Sequence, residues 1–489
     1  MAPAGFTGAT RPSNLWVRNG LPTLLLISVA TLAFHAALAL WVPVFQDESY
    51  YALWATRPAI DYYDHPPMIA LWIWAGRAIF GTTFLGVRVV SVLTLALVPA
   101  MVYRIAWLVS HDRRTAQVAA LFYATMTTPI VLGFSSTPDS PSVVFWAFST
   151  MALFEAIKDP ARKSTGWFAI FGVALGLGVL SKFTNLFLIL GIGMWLIFTR
   201  PGRRIFARSG AWVAIGATVV TVLPFLIWNA QHEWYGFQRQ FSRLDVGALP
   251  HSAYATYLVI ILVTVLPPLL WFLGRGVMRT STRSAILLWL NLPLLIYFAF
   301  HSSHARVQAN WLAPVFPALS VMCALGAPQY RKVAIYFAAG VSALFSVIAL
   351  GLALWPGPPV FPGDNPFNQT KGWAQLSNRL EAFAHANNAR WIAVTDYGTT
   401  GELAFHISTL PVWSITQTMR YNFRGDFPKA LCEQPALLIE HGMGPTASSA
   451  QFDVTSSAIV FHRVSAGIPI ADYTATVVQQ LKDCPPPSE

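Results

Sequence analysis

Charge is what this chain has least of. Only 11% of its 489 residues are Asp, Glu, Lys or Arg, against about 25% in a soluble globular domain. With 55% hydrophobic residues and a mean hydropathy of +0.51, a water-soluble fold is excluded. Cysteine is nearly absent too. Of three, Cys323 lies in an apolar stretch and reads as packing, whereas Cys432 and Cys484 fall near the C-terminus. Internal repeats are not evident, and no small-residue cleavage site follows the first apolar run, which therefore reads as a retained helix. His, Asp and Asn residues show no metal-cage spacing, so no cofactor and no divalent metal are expected.

What is present is a series of long apolar stretches from Leu21 to Trp355. A bilayer crossing takes roughly 20 apolar residues, so the chain is expected to be an all-α polytopic membrane protein of about eleven helices. The expected spans are 21–42, 84–109 (after an interfacial helix at 67–82), 115–133, 141–157, 166–181, 184–198, 210–229, 254–273, 284–300, 311–327 and 333–355.

The formal charge of +11 does not point to nucleic acid. Arg11/Arg18, Arg113/Arg114, Lys158/Arg162/Lys163, Arg200/Arg203/Arg204/Arg208, Arg275/Arg279/Arg283 and Arg331/Lys332 recur at alternate loops, as positive-inside topology requires. The N-terminus is then cytoplasmic. The outer face receives 43–83, 134–140, 181–184, 229–254, 301–310 and everything after 356. Past the proline-rich WPGPPVFPGDNP the composition turns soluble: ARWIAVTDYG, PALLIEHG and SSAIVFHRV read as buried strands, and NQTKGWAQLSNRLEAFAHANN as an amphipathic helix. Two domains are expected, a transmembrane one over 1–355 and a small periplasmic α/β domain over 356–489. An oxidising compartment would leave a Cys432–Cys484 disulfide open.

The few acids gather on that outer face. FQDESYYALWATRPAIDYYDHPPM (Phe45–Met68) holds Asp47, Glu48, Asp61, Asp64 and His65 among four tyrosines. On a helix starting near Asp47, Tyr50, Tyr51 and Trp54 share its face. Taken alone, the DE pair is a solvated helix cap beside an aromatic belt, and Asp139 in FSSTPDSPS is another cap. Lys182 in LSKFT lies in a long apolar stretch with no acid near it in sequence, a placement that favours function over packing. WNAQHEWYGFQRQFSRLD brings Asn229, His232, Trp234, Gln238 and Arg243 together, and HSSHARVQANW adds His304, Arg306, Gln308 and Asn310. Arg239, Arg243, Arg306 and Lys182 are cations on the acid-rich side. They fit an anion at headgroup depth, such as a lipid phosphate.

The ordered set D-E-x-Y-Y-x-x-W, Y-x-D-H-P-P, T-P-D-S-P, L-S-K-F-T, W-N-x-x-H-x-W-x-x-F-x-x-Q and A-N-W-x-x-P resembles the bacterial glycosyltransferase family 39, the protein O-mannosyltransferase-like proteins. Their relatives include the aminoarabinose transferases of lipid A and the rhizobial galacturonosyltransferases of lipopolysaccharide. The resemblance covers roughly residues 20–330. It implies the C-type glycosyltransferase (GT-C) fold and an inverting transfer from a polyprenyl-phosphate-linked sugar to an acceptor on the outer side of the inner membrane. That acceptor is lipid A, lipopolysaccharide or another envelope glycan, or a protein hydroxyl. The expected partners are donor, acceptor and membrane lipids, with the protein a monomer.

By position, Asp47 matches the family's catalytic aspartate, Glu48 the second acid of the DE motif, and Asp139 the acid of the second outer loop. Glu48 or Asp139 is expected to orient the acceptor or Asp47. Lys182, Arg243, Arg306 and His65 are expected to bind the donor phosphate. His65 stands where aminoarabinose transferases have lysine, and a neutral histidine grips phosphate more weakly. Tyr50, Tyr51, Trp54, Tyr62, Asp64, His232 and Asn310 are the expected substrate-binding residues, with packing at the interface an equal alternative for each of the four aromatics. The rivals are a flippase for a lipid-linked sugar and a non-catalytic scaffold. A flippase leaves unexplained why acids collect at the outer face instead of mid-membrane.

Overall fold

The computed structural model describes residues 21–158, 164–242, 252–303, 305, 307–327, 330–444, 451–454, 456–482 and 484. Its helical part opens with α1 (Leu21–Trp41), whose only ionisable side chain is His35. Pro43 ends that run, and Phe45 caps α2 (Gln46–Trp54), where the Glu48 carboxylate accepts the backbone N–H of Phe45 at 3.0 Å. Helices α3 (Met68–Phe80), α4 (Phe84–Leu95) and α5 (Val98–Ser110) follow. Thr83 caps α4 through the Gly86 N–H. Next come α6 (Arg113–Thr125), capped by Asp112, α7 (Thr127–Leu132), α8 (Asp139–Ile157), α9 (Thr165–Val179), α10 (Leu186–Phe198), α11 (Arg200–Phe206) and α12 (Ser209–Gln231). The helical part closes with α13 (Tyr235–Ser242), α14 (Ser252–Val265), α15 (Pro267–Met278), α16 (Ala285–His301), α17 (Phe316–Gly326) and α18 (Lys332–Leu354).

Among the described residues six helical stretches are long and apolar enough to cross a membrane, or up to eight if two bent pairs are each one span. The stretch expected to cross at 254–273 is one of the bent pairs: Tyr257–Val265 and Pro267–Met278 meet at 92°. Pro267 and Pro268 cannot continue the hydrogen-bond ladder, and the break sits at Leu266, a non-glycine residue with φ +64°. The second bent pair turns by 104° between α10 and α11. The expected span 115–133 is interrupted as well, since Met126 leaves the helical region at ψ 148° between α6 and α7. Met68–Phe80, Thr165–Val179 and Ala285–His301 are shorter apolar helices.

The buried core runs through α5, α6, α8, α15 and α17 and is built from Val, Leu, Ile, Phe and Ala. Small residues let the helices close on one another. A Cβ on Gly172 of α9 would lie 2.2 Å from the Ala214 carbonyl oxygen of α12, so that crossing tolerates no side chain.

The C-terminal segment holds α19 (Trp373–Ala386), β1 (Trp391–Val394), α20 (Tyr397–His406), β2 (Val412–Ser414), α21 (Lys429–Cys432), β3 (Ala436–His441), β4 (Phe452–Val454), β5 (Ile459–Ser465) and β6 (Ile468–Leu481). The sheet order is β2-β1-β3-β6-β4, with β5 also paired to β6. β1 is parallel to β2 and β3, whereas β6 runs antiparallel to β3, β4 and β5. The three expected strands are β1, β3 and β5. The long β6, IPIADYTATVVQQL, carries too many threonines and glutamines to stand out as apolar. Cys432 and Cys484 form a disulfide with Cα atoms 5.7 Å apart.

This segment packs on the helical part through α20 and α2. A Cβ on Gly401 would come within 2.7 Å of the Tyr50 amide nitrogen, so glycine sets the approach of the two helices. Tyr62 meets Phe423 edge-on at 5.5 Å, and the Arg57 guanidinium donates to the Arg424 carbonyl.

Candidate active site

A cavity of about 790 Å³ opens where α2, the 134–139 turn, the 182–185 turn, α10, α16 and the C-terminal segment converge. That volume suits a ligand of drug or lipid-headgroup size. Asp47, Tyr50, Tyr51, Asp64, His65, Asp139, Lys182 and Asn310 all line it, bringing together stretches separated by more than two hundred residues. Its apolar flank runs from Phe183 in the 182–185 turn along Leu186, Phe187 and Leu190 of α10, with Tyr297 and Phe298 of α16 also on the wall. Leu186 and Leu190 lie one turn apart on one helix face and stay 42% and 50% exposed, so the flank is continuous with apolar surface.

Asp47 sits in the first turn of α2, on the cavity wall, with its side chain exposed there. Its Oδ1 accepts a hydrogen bond from the Tyr397 hydroxyl at 3.2 Å. Desolvation by the surrounding cavity walls pushes its carboxyl above the ordinary range. Asp139 and Asp64 add to the rise, while the Tyr397 hydrogen bond and Lys182 oppose it. A carboxylate so placed holds a proton more readily than one in water, as a general base requires.

Glu48 is adjacent in sequence and opposite in situation. Its carboxylate is fully buried against Arg88. Oε1 accepts from Arg88 Nε at 2.8 Å and from the Ser136 N–H at 2.7 Å, and Oε2 also takes the Phe45 N–H. Arg88 further donates to the carbonyls of Val42 and Pro43. Glu48 does not line the cavity: its oxygens are spent joining the start of α2 to Arg88 and to the turn before Asp139.

Lys182 is not the uncompensated charge that its surroundings in sequence suggest. Its ammonium lies 2.6 Å from Asp139 Oδ1, and Asp139 Oδ2 accepts from Asn310 Nδ2 at 2.8 Å. Forty-three residues separate the pair, too far for a sequence window to connect them. Asp64 accepts from the Tyr50 hydroxyl at 3.0 Å and pairs with Arg420, with Arg239 Nε 3.6 Å away.

Trp54 and Tyr62 stack at 4.3 Å, are fully buried and lie outside the cavity wall. The Tyr62 hydroxyl bridges the Ala59 N–H and the Arg57 carbonyl. Each covers one face of the other. His232 is exposed, stacked on Trp228 at 3.9 Å, and outside the cavity. Asn229 instead turns inward and donates to Asp61 at 3.0 Å, a carboxyl that burial raises to about 7. Arg243, His304 and Arg306 lie outside the described residues.

Sequence reasoning missed Tyr397, Arg420 and Arg88. Tyr397 follows the β1 strand signal directly, where α/β sheets place ligand-facing residues, but neither it nor Arg420 sits in a motif.

A helical fold whose acid-bearing loop after α1 faces an amphipathic cavity is one shared with solved structures of the GT-C type. ArnT from Cupriavidus metallidurans bound to undecaprenyl phosphate has this fold: the TM-score is 0.67 over 94% of this chain and 98% of that one, at 11% identity. In sequence, residues 64–228 match the family model described as dolichyl-phosphate-mannose-protein mannosyltransferase. The chain is similar to the lipid A galacturonosyltransferase RgtD of Rhizobium johnstonii, 24% identical over 70% of this chain and 72% of that protein. It is also similar to the undecaprenyl phosphate-alpha-4-amino-4-deoxy-L-arabinose arabinosyl transferase of Pseudomonas aeruginosa, 28% identical over 48% of this chain and 45% of that protein. The resemblance seen in the motifs therefore holds in sequence and in fold.

Proposed function

We propose that this protein is an inverting glycosyltransferase of the bacterial inner membrane. It moves a sugar from a polyprenyl-phosphate-linked donor to lipid A, lipopolysaccharide or another envelope glycan. The observation that carries this reading is a single cavity holding the Asp47 carboxylate, the Lys182–Asp139 pair and an apolar flank along α10. A lipid-linked sugar phosphate has those three parts: a reacting carbon, an anion and a tail. The relatives' names supply the acceptor class.

In the proposed step the acceptor hydroxyl oxygen attacks the anomeric carbon from the side opposite the phosphate. The bond from that carbon to the phosphate oxygen breaks, and polyprenyl phosphate leaves with the electron pair. Asp47 takes the hydroxyl proton, and Lys182 stabilises the leaving phosphate. Asp139 and Asn310 hold Lys182 in place; an ammonium has three donors, so it can face phosphate and Asp139 together. His65, Arg243 and Arg306 are assigned to the phosphate, and Tyr50, Tyr51 and Asp64 to the sugar.

The accompanying topology has about eleven membrane elements, a cytoplasmic N-terminus, a membrane domain over 1–355 and a periplasmic domain over 356–489. The Tyr397–Asp47 contact supports it by putting both parts on one side.

Mass spectrometry of lipid A, core oligosaccharide and glycoproteins from cells with and without the gene tests the reading. The expected result is a mass difference of one uronic acid, aminopentose or hexose, restored by the wild-type gene and not by Asp47→Asn. Unaltered glycans, or full restoration by Asp47→Asn, would sink it.

A further inference from the structure

The C-terminal segment contributes two side chains to the cavity wall, Tyr397 and Arg420. Tyr397 is the only described residue that hydrogen-bonds the Asp47 side chain, across 350 residues of chain. We propose that Tyr397 is a positioning residue for Asp47, its hydroxyl fixing Oδ1 so that Oδ2 is the atom that receives the acceptor's proton. This inference rests on the reading of Asp47 as the base.

A carboxylate needs such a hold. The terminal torsion of aspartate is broad and roughly two-fold, so at the open end of a short helix Asp47 would present either oxygen over a wide arc. The phenol removes that freedom, because it is itself held from three sides. Tyr397 is the first residue of α20, whose cap is set by Asp396 accepting the Thr399 N–H at 2.8 Å. The Arg420 guanidinium lies 4.5 Å over its ring, and Tyr50 meets that ring edge-on at 5.3 Å. Arg420 in turn pairs with Asp64 on the opposite wall. Base, tyrosine, arginine and second carboxylate thus form one chain of contacts that exists only while α20 is seated on α2.

Packing between two parts of the protein would need the ring but not the hydroxyl, and Tyr397→Phe separates the two roles. The phenol's hydrogen bond favours the charged carboxylate, so its loss should raise the pH at which Asp47 ionises. One such bond amounts to about half to one pH unit.

The test uses the purified full-length protein. Infrared spectroscopy follows carboxylate titration, with the Asp47 band identified by its absence in Asp47→Asn. Transfer to purified lipid A is assayed with undecaprenyl phosphate-linked 4-amino-4-deoxy-L-arabinose and with undecaprenyl phosphate-linked galacturonate. In Tyr397→Phe the Asp47 midpoint and the acid limb of kcat/KM should both move up by about half to one pH unit. The donor KM should stay within about twofold while kcat falls about tenfold, since the lost group acts on the base and not on binding. Arg420→Gln, which frees the ring while keeping the hydroxyl, should move the same midpoint upward by less. If the midpoint is unmoved in both variants while Asp47→Asn is inactive, the positioning role is wrong and the transferase reading survives. If Asp47→Asn still transfers sugar, the base assignment fails instead.

Discussion

The helical part and the C-terminal segment wall the same cavity, yet they supply it in different ways. The helical part brings Asp47, Asp139, Lys182 and Asn310 from helix starts and turns, each within a short recognisable stretch. The C-terminal segment brings Tyr397 and Arg420 from a helix start and a 3-10 turn that carry no pattern. The groups that would act on substrate are local and motif-bound. Those that hold them in position come from a distance, because positioning needs only a donor at the right place, whatever element carries it.

The contrast can be broken first at Asp47. Asp47→Asn should lower transfer by about 10²–10⁴, the usual worth of a general base, with expression and thermal unfolding unchanged. Its neighbour should behave oppositely. Arg88→Met strands the buried Glu48 carboxylate and should cost about 3–5 kcal/mol of stability, read as lower melting temperature and yield in detergent. A melting curve equal to wild type would show that this pair does not join the start of α2 to the turn before Asp139.

The C-terminal side is probed by Cys432→Ser with Cys484→Ser. Opening a link that spans 52 residues should cost about 2–4 kcal/mol, seen as a lower unfolding temperature for the segment and mimicked by reductant. Lys182→Ala should reduce transfer about 10–100-fold, the range of a charged hydrogen bond, chiefly through donor affinity. The smallest effect belongs to His232→Ala, which should stay within about twofold in transfer because surface substitutions away from a site change little. A tenfold loss there would show that α12 and α13 reach the substrate.

Much of this is legible in the sequence. Low charge and long apolar runs set the class, and the D-E, Y-x-D-H-P-P, T-P-D-S-P and L-S-K-F-T stretches all reach the cavity or its rim. What was illegible shares one cause. Glu48 and Asp47 are neighbours in sequence and equally acidic, and nothing local tells which one meets Arg88, 40 residues on. Lys182 looked unpaired because its acid is on another helix. For Trp54 and Tyr62 sugar site and packing are equally open in the sequence, because aromatic residues near a membrane rim have the same composition whether they stack on a ligand or on each other.

The sequence by itself determined the solvent of this protein, where its charged loops fall between apolar runs and the kinds of group those loops could offer. Those follow from transfer free energies and charge asymmetry, which are sums over residues and need no contacts. Only the tertiary structure decided which acid faces the cavity, which cation it shares, and that a tyrosine from β1's exit touches Asp47. A carboxylate's role depends on the few atoms within hydrogen-bond reach, and those come from wherever the fold returns the chain.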